Sequence, residues 1–131
     1  MSKLQLEDDN CCFVCGMENS DGLRIHWTVE GLTTSAEFTP DSKYQGWKGV
    51  LHGGIIATLL DEAMTRLVCI VYGNAVTAEM TVRYVAPAPI NQLLTIRGEI
   101  IGEKGKIIEM KATIHCSPTL IAHSTGKAIR I

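Results

Sequence analysis

Two features of the chain carry groups suited to polar chemistry: the run Val50-Leu51-His52-Gly53-Gly54 and, nine positions after the histidine, Asp61. The glycines stand where a long segment free of Gly and Pro begins, so they fall in the first turn of a predicted helix. First-turn backbone N–H groups have no intrahelical acceptor, and glycine lets a bound group approach them closely. Together with the positive end of the helix dipole they favour an oxygen that gains negative charge. Acyl transfer needs such an oxyanion hole, and losing one donor typically costs about a hundred- to thousandfold in rate. The same glycines also suit tight packing of a helix on a sheet, and the dipeptide alone does not separate the two uses.

Asp61 follows Ile55-Ile56-Ala57-Thr58-Leu59-Leu60. An ionised carboxylate among residues that leave water costs free energy unless it is paired or used, and a general base is one such use. Glu62 sits about 100° further round a helix. It precedes Arg66 by four residues, the spacing of a surface ion pair, so it is expected to be solvated or paired there. Gly53 and Asp61 lie eight positions apart, about 12 Å along a helix rising about 1.5 Å per residue. Both cannot touch one carbonyl from the same chain. If both serve one acyl group, the donor comes from one subunit and the carboxylate from another, which predicts antiparallel helices across a two-fold axis and a homodimer with two composite sites.

The elements that must position these groups follow from the hydrophobic pattern. Leu23, Ile25, Trp27 and Val29 alternate with polar residues, and Thr33 to Phe38 follows Glu30-Gly31, which suggests a first hairpin. Ile55 to Tyr72 reads as the one long helix, apolar over most of its circumference and stopped by Gly73-Asn74. Four strand-like runs come next: Val76 to Tyr84, Leu93 to Glu103, Lys106 to Ser117 and Leu120 to Ile131. The short turn signals between the later runs favour an antiparallel meander. Ala86-Pro87-Ala88-Pro89 is expected at a strand end or edge, because proline cannot donate to a central ladder. One helix and about six antiparallel strands make an α+β chain, and the way to bury the helix is to wrap the sheet around it.

Composition narrows the function classes. With 131 residues, 46% hydrophobic and 20% charged, the chain reads as a single globular domain, residues 1–131, whose first 22 residues are turn-rich. A net charge of −2 with scattered signs leaves no electrostatic footprint for nucleic acid or an anionic membrane. The first residues lack the apolar core of a secretion signal and no stretch is long enough to span a bilayer, so the expected location is cytoplasmic. Five cysteines, an odd number, then point to reduced thiols. Cys12-x-x-Cys15 supplies two of the four ligands a structural zinc takes, with no second pair at a finger or ribbon spacing, so no metal and no cofactor is expected. Packing of this segment beside the pocket or a neighbouring subunit is expected instead.

His52-Gly53-Gly54, Asp61, and Thr77-Ala78-Glu79-Met80-Thr81-Val82-Arg83-Tyr84-Val85-Ala86-Pro87 together resemble the hotdog-fold acyl-CoA thioesterases of the PaaI type. The resemblance runs from about Cys12 to the C-terminus and rests on the joint spacing. It implies a hotdog fold, with one long central helix wrapped by an antiparallel sheet, and a homodimer or a dimer of dimers acting on acyl-CoA. It further implies that Gly53 N–H binds the thioester carbonyl and that Asp61 of the facing subunit activates water or attacks directly. Thr77 matches a position that helps place the water. His52 and Gly54 then support the bound carbonyl region. Related enzymes often carry an asparagine six residues before the histidine. Here that position is Gly46, with Gln45 beside it as the amide that could take over the hydrogen bond.

Phosphates of CoA need cations at the pocket mouth, and Arg83, Lys104 and Lys106 are available. Two rivals use the same fold: an acyl-CoA sensor without catalysis, and an enoyl-CoA hydratase or dehydratase with a catalytic histidine. Asp61 in its apolar helix favours hydrolysis over both. None of Cys11, Cys12, Cys15, Cys69 or Cys116 lies in a recognisable nucleophile setting.

Overall fold

A computed structural model describes residues 5–131. Helix α1 spans Gly53–Tyr72. It starts where His52 is extended (φ −61°, ψ 134°) and stops at Gly73, whose φ of 93° favours glycine and whose N–H bonds Cys69 O. Ile56, Leu59, Leu60, Ala63, Met64, Leu67 and Val68 are buried, the three- and four-residue spacing of one stripe. The stripe is narrower than the sequence suggests: Ile70 is 50% and Val71 37% exposed. The rest of the circumference carries Asp61, Glu62, Thr65 and Arg66, all half-buried.

The strands are β1 (Thr28–Glu30), β2 (Thr33–Phe38), β3 (Ala75–Tyr84), β4 (Leu94–Lys104), β5 (Ile107–Cys116) and β6 (Thr119–Arg130). They form one antiparallel sheet in the order β1-β2-β4-β5-β6-β3. The expected wrap of an antiparallel sheet on one long helix is present: α1 packs against β2, β3, β4, β5 and β6. Two details differ from the sequence reading. Only β4, β5 and β6 meander, because β3 lies at the far edge beside β6. The proline-bearing segment after β3 carries the chain back across the sheet. It is pinned there by Leu51 N–H to Ala88 O at 2.9 Å and by a bridge between Val50 and Pro89.

The first hairpin is also shorter than its alternation implies. Leu23, Ile25 and Trp27 are buried but lie outside β1, because Arg24 adopts φ 52° and the N–H groups of Leu23 and Ile25 bond Phe13 O and Val14 O. The N-terminal segment thereby takes the place of a neighbouring strand.

The helix packs tightly on the sheet at Gly98 of β4, where an added Cβ would sit 2.3 Å from Ala63 O and 2.8 Å from Ala63 C. Both atoms belong to backbone that cannot yield without moving α1. Gly98→Ala is therefore expected to destabilise by about 3 kcal/mol or more, at the upper end of overpacking effects. A thermal melt within error of wild type would show that α1 can lift off β4 at no cost.

Candidate active site

At the start of α1 the two glycines part company. His52 caps the helix through its side chain, with Gly54 N–H donating to His52 Nδ1 at 2.8 Å. An accepting Nδ1 carries no proton, so the ring proton of the neutral form lies on Nε2. A Cβ on Gly54 would press against the same ring, 3.0 Å from Nδ1 and 3.2 Å from Cε1. Gly54 is thus a glycine for the sake of the cap. Its N–H, expected among the substrate-binding groups, is committed to the His52 cap in this structure.

Gly53 differs on both counts. Its N–H donates to nothing among the described residues. A Cβ there would make ordinary contacts of 3.5–3.7 Å with the Tyr84 ring, so packing within the chain does not demand glycine. Gly53 lines a cavity of about 410 Å³ together with Gly46, Trp47, Val50, Leu51 and His52. A free helix N-terminal donor therefore borders a hollow of ligand size. Tyr84 OH donates to Gly53 O at 2.9 Å and braces this turn from β3. Sequence reasoning did not single out Tyr84, since only the fold places it over the helix start.

The cap gives a prediction separate from chemistry. His52→Ala is expected to cost about 1 kcal/mol of stability, the usual loss of a side-chain N-cap. A melt that moves no more than that of an exposed-site control would show that water replaces the cap.

Two helical turns on, Asp61 Oδ1 accepts hydrogen bonds from Thr77 Oγ1 at 2.6 Å and from Thr65 Oγ1 at 3.2 Å. The two threonine hydroxyls also touch each other. One carboxylate oxygen is therefore held by α1 and β3 together, while Oδ2 has no hydrogen-bond partner among the described residues. Such an arrangement fixes the rotamer and leaves a basic oxygen free for water or for attack. Thr77, expected to place a water, here donates its hydroxyl proton to Asp61 Oδ1. Thr65 was not foreseen, although its place four residues after Asp61 is the signal that could have found it.

Glu62 corrects a second expectation. It forms no ion pair with Arg66 within 4.0 Å among the described residues. Instead it turns toward the N-terminal segment, where Cys12 Sγ lies 3.8 and 3.9 Å from its two oxygens. Burial pushes the Glu62 carboxyl above its ordinary value, against the pull of the Cys15 thiol and the Arg66 charge. The Cys15 thiol is likewise pushed well up by burial and by its hydrogen bond to Glu62. Arg66 Nε is buried without a hydrogen-bond partner among the described residues. The N-terminal segment thus packs on the chain's own helix.

The remaining candidates lie at the margins. Gln45 is exposed, and its Oε1 accepts Gly49 N–H at 3.1 Å, so its amide NH2 is the donor left over. Gly46 lies against His52, with an added Cβ 3.4 Å from the His52 backbone and ring. Arg83 is exposed and, by strand alternation, points to the opposite face of β3 from Tyr84. Lys104 and Lys106 flank the β4–β5 turn, and Lys106 O accepts Arg130 N–H. Arg130 stacks on Tyr72, so this turn lies at the C-terminal end of α1, away from Gly53.

Residues 48–122 match the thioesterase superfamily. The chain belongs to that superfamily. The matched span takes in the His52 cap, Gly53, Asp61 and Thr77. Among curated superfamily relatives, mouse acyl-coenzyme A thioesterase THEM4 is 30% identical over 105 residues, 79% of this chain and 45% of that one. The zebrafish thioesterase superfamily member 2 structure superposes with a TM-score of 0.77 at 19% identity, covering 88% of this chain and 91% of that one. For the PaaI protein of E. coli the TM-score is 0.75 at 20% identity, with 82% and 84% covered. The last two establish a shared fold, the one the PaaI resemblance implies. The chain spans 54%, 42% and 45% of the first three curated relatives it matches, about half their length.

Proposed function

We propose that this superfamily member hydrolyses acyl-CoA thioesters to the free acid and CoA. The observation that carries this reading is Asp61, half-buried on the same helix as a free Gly53 N–H, with one oxygen clamped by Thr65 and Thr77 and the other open. The acyl-CoA class comes from relatives named as acyl-coenzyme A thioesterases.

In the proposed reaction Gly53 N–H donates to the thioester carbonyl oxygen and Asp61 takes a proton from water as its oxygen attacks the carbonyl carbon. The tetrahedral intermediate collapses, the C–S bond breaks, and the CoA sulfur leaves with the electron pair and takes up the proton held by Asp61, which restores the carboxylate. Direct attack by the carboxylate would use the same oxygen and pass through an anhydride that water opens. The site is composite: Gly53 and Asp61 face one thioester only across a two-fold axis, as their separation of about 12 Å along α1 demands. The exposed ten-residue edge strand β3, which carries Thr77, supports pairing of a second copy beside Asp61.

The cavity beside Gly53 is the proposed acyl pocket, with the Gln45 amide at its rim. Arg83, on the other face of β3 from Tyr84, would reach a phosphate only of an acyl-CoA bound across the edge strand. Among the described residues no helix is long and apolar enough to cross a membrane. The five free thiols support a reducing, cytoplasmic setting.

Release of free thiol from a panel of aliphatic and aromatic acyl-CoA thioesters tests the proposal. Turnover of at least one member is expected. Tight binding of acyl-CoA with no turnover of any would instead make the protein a sensor.

A further inference from the structure

The Cys12-Phe13-Val14-Cys15-Gly16 segment takes no part in the proposed hydrolysis, yet it is built with care. Gly16 N–H bonds Cys12 O at 2.9 Å and closes a turn that brings both thiols to one side. The turn is so tight that a Cβ on Gly16 would lie 2.3 Å from Cys12 N and 2.6 Å from Cys11 C. Val14 N–H points at Cys12 Sγ, 3.4 Å away, and fixes the position of the sulfur. A third donor then arrives from an element 50 residues distant: Glu62 of α1, whose oxygens lie 3.8 and 3.9 Å from Cys12 Sγ. One donor atom from each of Cys12, Cys15 and Glu62 falls within 4.8 Å of the others, and all three side chains are half-buried.

We propose that Cys12, Cys15 and Glu62 bind one divalent cation of the zinc class through two thiolates and one carboxylate oxygen, with a fourth position open to solvent. Two sulfurs on one tetrahedral zinc sit about 3.8 Å apart, given metal–sulfur bonds of about 2.3 Å. Closure from the present spacing needs side-chain movements on the order of 1 Å. The two thiol protons pass to solvent as the metal–sulfur bonds form. Charge also balances: two thiolates and a carboxylate bring three negative charges, the metal returns two, and Arg66, whose charge acts on Glu62, supplies the last. Sulfur with one carboxylate selects zinc over magnesium or calcium, which take oxygen ligands.

The metal would fasten the N-terminal segment to α1, in place of a thiol–carboxylate contact that is long for a hydrogen bond. Consecutive helix positions diverge by about 100°, so Glu62 turns toward the N-terminal segment and away from Asp61, and the ion would serve a structural role.

Cobalt substitution of the full chain tests the site, with the protein reduced and stripped by chelator. Titration with Co²⁺ is expected to raise a near-ultraviolet thiolate-to-cobalt band that saturates at one ion per chain, and Zn²⁺ is expected to bleach it and raise Tm. Cys12→Ser and Cys15→Ser should each weaken the band and its affinity, Glu62→Gln should keep the band with a Kd raised about tenfold or more, and Cys11→Ser should change nothing. Absence of a sulfur-to-cobalt band in the wild-type chain overturns the proposal without reliance on any variant. So does a band that survives in the Cys12→Ser, Cys15→Ser double variant. Neither result bears on thioester hydrolysis, which is read separately.

Discussion

Asp61→Asn is expected to lower kcat for thioester hydrolysis by about a thousandfold, within the range ascribed to a positioned general base. The substitution is close to isosteric, and the asparagine carbonyl oxygen can still accept from Thr77 and Thr65, which now hold Oδ1 at 2.6 and 3.2 Å. What is lost is the other oxygen, replaced by an amide that neither takes a proton nor attacks carbon. Substrate affinity and Tm should therefore stay near wild type while turnover collapses. Thr77 supplies an internal control. As a positioning residue, Thr77→Val should reduce kcat by about tenfold with little change in KM, and Thr77→Ser should restore it. Thiol release by Asp61→Asn at more than a tenth of the wild-type rate would remove the carboxylate from the mechanism.

The same residues show what could be read from sequence and what could not. The helix was legible because Gly54 and Gly73 bracket a run free of glycine and proline, and its observed bounds, Gly53–Tyr72, differ from the expected Ile55 to Tyr72 by two residues at the start. The later strands were legible because their turns are short. Strand order was less so: nothing local to Val76–Tyr84 says that it pairs with the last strand, since pairing across the sheet is a property of the whole chain. Gly53 and Gly54 were equivalent in sequence and are opposite in use, one free and one bound to His52, because a cap depends on a side-chain rotamer. Glu62 went astray for a related reason. The spacing to Arg66 counts only helix neighbours, whereas its partners Cys12 and Cys15 come from a segment that reaches α1 through the tertiary fold.

Gly53→Pro separates the donor from the helix that carries it, and should cost about a hundred- to thousandfold in kcat/KM. Proline removes the N–H yet is tolerated at the first helical position, where that N–H has no intrahelical acceptor. His52 already holds the extended backbone that proline requires of its predecessor, with φ −61° and ψ 134°. The ring's extra atoms enter a spot where a Cβ meets Tyr84 at no less than 3.5 Å, so Gly53→Ala, which keeps the donor, is the matching control. The decisive experiment mixes this variant with Asp61→Asn. Each homodimer is expected to be nearly inactive, because both of its sites lack one essential group. A mixed dimer holds one site with Gly53 from the Asp61→Asn chain and Asp61 from the Gly53→Pro chain, and a second site that lacks both. Random reassociation of equal amounts makes about half the dimers mixed, so activity should recover to about a quarter of wild type per chain. Recovery must also scale with subunit exchange, rising as the mixture is unfolded and refolded together. If both variants fold, exchange subunits and still give no recovery, Gly53 and Asp61 do not serve one thioester across the two-fold axis. The composite site would then have to be abandoned, even with Asp61 itself still essential.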